Sequence, residues 1–190
     1  PDHLADLAAR LAALPNAFAG PQPQQLESRY FDTADRRLEA RGGKLRVRRV
    51  ADGFVQTVKG KLPDGGAHLV RQEWECRVPA PTPDLAAITD PCALERLGLV
   101  LPEELELVFT TTVQRRLVLI EEAVPLAPPA IIEVAIDEGA ITARTGAEPI
   151  AELELELKAG PTQGLYRLLR QLRQWAPVTI AVADKAQRGY

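Results

Sequence analysis

The sequence predicts an α+β protein built on an antiparallel sheet, and three observations carry that reading. Charged and apolar residues alternate with a period of two through much of 27–158, leucines recur at helical spacing at the two ends, and turn-forming residues separate neighbouring strands. Leu4, Leu7, Leu11 and Leu14 make the first helical stripe, which Pro15 ends, and a loop rich in Pro and Gln follows. Strands are then expected near 27–32, 44–50, 53–59, 67–78, 106–120, 130–137 and 150–158. Asp52-Gly53 reads as a hairpin turn between the second and third, and Pro63-Asp64-Gly65-Gly66 as a turn or loop before the fourth. Pro79, Pro81 and Pro83 form a stiff connector into one or two short helices over 84–98. The last helix, 162–175, places Leu165, Leu168, Leu169 and Leu172 on one face.

Composition narrows the functional classes. The chain has 190 residues, 46% apolar and 26% charged, which suits one domain with its own core and excludes a disordered or low-complexity chain. No apolar run reaches the roughly 18 residues of a membrane span, and no signal-peptide pattern is present, so a cytoplasmic protein without membrane partners is expected. Cys76 and Cys92 lack metal-site spacing and read as two reduced thiols. The net charge of −3 hides a segregation: residues 28–77 carry +5 and residues 84–158 carry −10. Specific nucleic-acid binding is not expected, because the basic half holds neither a groove-binding helix nor an aromatic RNA-binding motif.

The strands concentrate charge on one face. Residues two apart point the same way, about 6.7 Å from each other. In Lys44-Leu45-Arg46-Val47-Arg48 three cations share a face. In Arg71-Gln72-Glu73-Trp74-Glu75-Cys76-Arg77 four charges oppose Trp74 and Cys76. Glu133 and Asp137 oppose Val134 and Ile136, and Glu152, Glu154, Glu156 and Lys158 oppose three leucines. Such a face is either a solvated exterior or the lining of a closed barrel. In the second case the charges need partners, since an unpaired ion out of water costs several kcal/mol. A polyanion with metal ions supplies them.

The segments Tyr30-Phe31-Asp32-Thr33, Leu45-Arg46-Val47-Arg48, Gln56-Thr57-Val58-Lys59, Arg71 to Glu75, Phe109 to Arg115, Glu133 to Gly139, Glu152 to Lys158 and Lys185 to Tyr190 together resemble the CYTH domain. This is the triphosphate tunnel metalloenzyme family, and the likeness is to its bacterial inorganic triphosphatase branch, often fused to a CHAD domain. The resemblance implies an eight-stranded antiparallel β-barrel with helices packed outside, a single CYTH domain over 1–190, and a possible CHAD domain downstream. It implies that Arg46, Arg48, Lys59, Arg71, Arg115 and Lys185 bind inorganic triphosphate or polyphosphate. Glu154 and Glu156 would hold Mg²⁺ or Mn²⁺ and, with Lys158, serve catalysis, while Glu73, Glu75, Asp137 and Glu152 support the site. Arg115 is preferred to Arg116 on motif spacing, since opposite parity lets only one face inward. Without a Cys or His cluster, a metal must rest on carboxylates, which favours these hard ions over zinc.

Two departures from the family pattern stand out. The family's N-terminal E-x-E-x-K strand is absent; Pro1 begins at the helix that follows it, and there is no methionine, so such a segment is expected upstream and the chain alone is expected to be poorly active. Asp184 occupies a position where the family often has Ser, beside Lys185, and an acid there opposes an anion. Three functional classes follow: a metal-dependent inorganic triphosphatase; a thiamine triphosphatase or class IV adenylate cyclase of the same superfamily; and a non-catalytic polyphosphate-binding module.

Overall fold

Period-two patterning becomes a ladder of eight strands in the computed structural model, which describes residues 2–19, 23–61, 71–181 and 183–190. In chain order the elements are α1 (Asp2–Ala12), β1 (Ala17–Ala19), β2 (Gln24–Thr33), α2 (Arg37–Ala40), β3 (Gly43–Val50), β4 (Gly53–Lys61) and β5 (Arg71–Val78). There follow α3 (Pro91–Leu97), β6 (Leu105–Glu122), β7 (Ala130–Ala143), β8 (Gly146–Ala159), α4 (Gln163–Trp175) and α5 (Lys185–Gly189). Short 3-10 turns cover Leu85–Ala87 and Pro102–Glu104. The strands run in the order β5-β4-β3-β2-β6-β7-β8, and β1 also pairs with β6. Ladders β1–β6, β2–β3, β3–β4 and β4–β5 are antiparallel. Only 144–145 separate β7 from β8, a connection too short for anything but an antiparallel pair. This is the α+β, eight-stranded antiparallel architecture expected from the sequence.

Several local readings shift. Ala17–Ala19 is a strand against Leu119 and Ile120 where a loop was expected, and three residues are too few to show a period. The first hairpin turn lies at Ala51-Asp52, since Val50 pairs with Gly53, whose φ of 133° opens the next strand. The expected turn at Pro63-Asp64-Gly65-Gly66 and the start of the strand from 67 lie outside the described residues. Helices α2 and α5, of four and five residues, carry too little apolar periodicity to be read. Asp32 explains the first of them: its buried carboxylate accepts the backbone N–H groups of Thr33, Leu38 and Glu39 at 2.7, 2.9 and 3.0 Å. Part of the Tyr30-to-Thr33 motif therefore serves the turn into α2.

Two compact units divide the chain. One comprises Pro1–Gln25, Val113–Ala140 and Pro149–Val182, the other Leu26–Thr112, Ile141–Glu148 and Ala183–Tyr190. In the first, Leu7 and Leu11 of α1 and Leu168 and Leu172 of α4 bury themselves with Val118, Ile120, Ile132, Val134 and Ile136, and the three leucines of β8 pack on them. In the second, Leu45, Val47 and Val58 join Phe31, Leu38, Ala93 and Leu97, with Trp74 and Cys76 against them. Each unit covers the apolar side of its strands with helices. The charges of β3, β4, β5, β7 and β8 are thereby assigned to the other side by strand alternation.

Candidate active site

In the second unit the cations arise from register. Lys44 lies opposite Lys59, Arg46 opposite Thr57, Thr57 opposite Glu75, and Lys59 opposite Glu73. Paired residues share a face, so β3, β4 and β5 build one charged surface. The Arg46 side chain is only 7% exposed; one terminal nitrogen donates to Thr57 Oγ1 at 2.8 Å and to Glu75 Oε1 at 3.3 Å. Its Nε is buried with no hydrogen-bond partner among the described residues. Arg48 Nε donates to Ser28 Oγ at 3.1 Å. Lys59 Nζ donates to Glu73. Burial first, then repulsion from Arg46, pulls Lys59 below the ordinary lysine range despite that acid. Burial alone would raise the Glu73 carboxyl, but Lys59, with Arg46 and Arg48 nearby, carries it below its usual value. The surface is thus water-poor, and its cations repel one another at Lys59.

The first unit holds the acids. Arg115 on β6 makes a bidentate pair with Asp137 on β7, Nε and one terminal nitrogen each 2.7 Å from a carboxylate oxygen. The same terminal nitrogen donates to Glu154 Oε2 at 2.5 Å. Asp137 is completely buried, whereas the Glu154 side chain is 49% exposed. Desolvation works against the Arg115 charge, but hydrogen bonding to Asp137 and the field of Glu154 raise it above the usual guanidinium range. Lys158 Nζ reaches Glu156 at 2.9 Å and Glu133 at 3.3 Å, and the hydrogen bond it donates to Glu156 leads its rise above the ordinary lysine value. Glu152 lies half-buried on the same side of β8. Arg116 turns to Glu138 instead, at 3.0 Å, as its opposite parity requires.

The structure therefore brings together Arg46, Arg48, Lys59, Glu73 and Glu75 in one unit, and Arg115, Asp137 and Glu154 in the other, with Glu156 and Lys158 beside them. Lys185 opens α5 in the second unit. Arg71 pairs with Lys61 through its backbone, and its side chain lies outside the described residues. Ser28 and Thr57, hydroxyls that orient Arg48 and Arg46, were not expected from the sequence, and Glu133, expected on the charged face, proves to be the partner of Lys158. Thr57 was recoverable from its i,i+2 relation to Lys59. As to a metal, Glu154 and Glu156 offer hard oxygen donors two residues apart on one strand face. Among the described residues no three His, Cys, Asp or Glu form a closed cluster. Such a donor pair fits Mg²⁺ or Mn²⁺, which keep waters and phosphate oxygens beside one or two carboxylates.

Comparison with known proteins agrees with the fold. The sequence profile of the CYTH domain matches residues 5–190. An inorganic triphosphatase of Haemophilus influenzae is 30% identical over 174 residues, covering 87% of this chain and 45% of that protein. The chain thus spans about half the length of the curated relative it matches. A protein of Pyrococcus horikoshii OT3 shares the fold with a TM-score of 0.56 at 15% identity, over 99% of this chain and 92% of that one. A Hippeastrum protein with a dominant triphosphatase activity gives 0.53 at 18% identity, over 98% and 88%. No helix among the described residues is long and apolar enough to cross a membrane.

Proposed function

The chain belongs to the CYTH domain family, and from that premise we propose that it serves the metal-dependent hydrolysis of inorganic triphosphate to pyrophosphate and phosphate. The observation that carries this reading is Arg46, a guanidinium almost wholly removed from water with one donor unpaired among the described residues, in a row with Arg48 and Lys59. A buried guanidinium is costly while one of its donors lacks an acceptor, and an anion can supply one. Triphosphate supplies several charges along an extended chain, and planar guanidinium forks match its oxygens.

Arg46, Arg48, Lys59, Arg71 and Lys185 are the proposed substrate ligands of the second unit, and Arg115 is that of the first. Glu73 and Glu75 keep Lys59 and Arg46 in place. Asp137 holds the Arg115 fork, which faces Glu154 in the same unit. A divalent ion, when bound at Glu154 and Glu156, would polarise phosphate oxygens and acidify a water. Water attacks the terminal phosphorus, the P–O bond to the next phosphate breaks, and pyrophosphate leaves with its charge met by the Arg and Lys groups. Lys158, held by Glu156 and Glu133, stays protonated and donates hydrogen bonds to the reacting phosphate. No covalent intermediate on the protein is needed.

A second reading is a polyphosphate-binding module without turnover, in which Glu154 and Glu156 stay engaged by Arg115 and Lys158 and hold no metal. Phosphate release by the full-length protein, with Mg²⁺ or Mn²⁺ and with triphosphate, ATP or thiamine triphosphate, separates the two. Triphosphate is expected to be the preferred substrate, and release is expected to stop when the metal is chelated. Tight binding of long polyphosphate with no turnover of any substrate would establish the binding module instead.

A further inference from the structure

Asp184 is left unexplained by this chemistry, since an acid beside Lys185 opposes an anion. Its carboxylate is already engaged. Lys44 Nζ donates to both of its oxygens, at 2.7 and 2.6 Å, and the Lys44 side chain is 11% exposed. Asp184 also starts α5: it accepts the Gln187 N–H at 2.8 Å, while its own N–H donates to Gln187 Oε1 at 3.1 Å. A helix of five residues does not hold itself in place, because nucleation is unfavourable and the gain per added residue is small. At its other end Gly189 lies so close to Phe109 that a Cβ would come within 2.5 Å of the ring, and Phe109 stacks on Tyr30 at 4.4 Å between centroids. Helix α5 is therefore seated on an aromatic platform at one end and tied to β3 at the other.

Lys44 stands directly across from Lys59 and two residues from Arg46. Without a counter-charge it adds to their repulsion. We propose that the Lys44–Asp184 ion pair is a positioning device: it fixes α5 on β3, so holding Lys185 for phosphate, and cancels the charge that Asp184 would otherwise set against the substrate. The inference rests on the triphosphatase reading for its kinetic consequence but not for the tie itself. Lys44 and Asp184 are positioning residues, and Lys185 is the ligand.

The test uses the full-length protein with inorganic triphosphate and Mg²⁺. Lys44→Met and Asp184→Asn should each raise KM by about tenfold with kcat held within about twofold, the scale of one charge-assisted hydrogen bond. The double variant should be no worse than either single, as expected for residues acting as one unit. Asparagine keeps an acceptor for the Gln187 N–H, so the cap survives while the charge is lost. In triphosphate-free protein the α5 amides should exchange faster in both single variants. A lowered KM in Asp184→Asn, effects that multiply in the double variant, or unchanged α5 exchange would overturn the proposal. An inactive parent with faster α5 exchange in both variants would refute the triphosphatase reading and support the tie.

Discussion

The two charged surfaces differ in how far their charges are already satisfied. On β7 the buried acid Asp137 has a bidentate guanidinium partner, and the acids of β8 beyond it, Glu154 and Glu156, remain half or more exposed. On the charged face of β3 and β4, Arg46 and Lys59 are buried more deeply than their acids: Arg46 is 7% exposed against 53% for Glu75, and Lys59 21% against 41% for Glu73. A buried row of mutually repelling cations is pre-arranged for a polyanion, since its desolvation has been met in folding. Exposed carboxylates suit a strongly hydrated divalent ion that keeps some of its water. Under the proposed function, the first kind of surface suits substrate and the second suits the metal.

The largest effect should come from breaking the satisfied pair. Asp137→Asn leaves Arg115 without its buried carboxylate, and loss of one member of such a pair costs about 3–5 kcal/mol. Urea unfolding of the variant should show that loss as a lower midpoint with the slope unchanged. Arg46→Met tests the opposite surface. It should cost little stability, because it removes a buried charge with an unpaired donor, and should lower kcat/KM for triphosphate by roughly 10²–10³-fold.

Lys59 sharpens the contrast through protons. Its folded-state value lies below the ordinary 10.5, because burial and the neighbouring cations disfavour its charge. An anion bound beside it favours that charge and raises the value. Between the free and bound values the complex holds more protons than the free protein, so binding triphosphate on the alkaline side should take up protons. Calorimetry in buffers of different ionisation enthalpy measures this directly, and Lys59→Met should abolish the dependence. The smallest effect is expected at Arg116, whose pair with Glu138 lies on the other side of the strand. Arg116→Gln should change stability by about 1 kcal/mol or less and leave KM unchanged.

The cation row was legible in the sequence because strand alternation fixes which residues share a face: Lys44, Arg46 and Arg48 are neighbours in any strand. Register was not legible, and it is register that pairs Lys44 with Lys59 and Arg46 with Thr57. The helical stripes of α1 and α4 were long enough to read, while α2 depends on Asp32 collecting backbone N–H groups, a tertiary event with no periodic signature. The acid at 184 was visible as an anomaly next to Lys185. Its partner could not be named, because Lys44 is 140 residues away.

If the cation row of β3 and β4 binds triphosphate and the β8 carboxylates hold the metal, the two surfaces separate in a Mg²⁺ titration of activity. Phosphate release from inorganic triphosphate is followed across a Mg²⁺ series in the full-length parent, Glu154→Gln and Arg46→Met. Glu154→Gln should abolish metal-dependent turnover at every Mg²⁺ concentration, whereas Arg46→Met should keep its metal dependence and lose affinity for triphosphate. Parental turnover in Glu154→Gln, or an unchanged KM in Arg46→Met, would contradict that division.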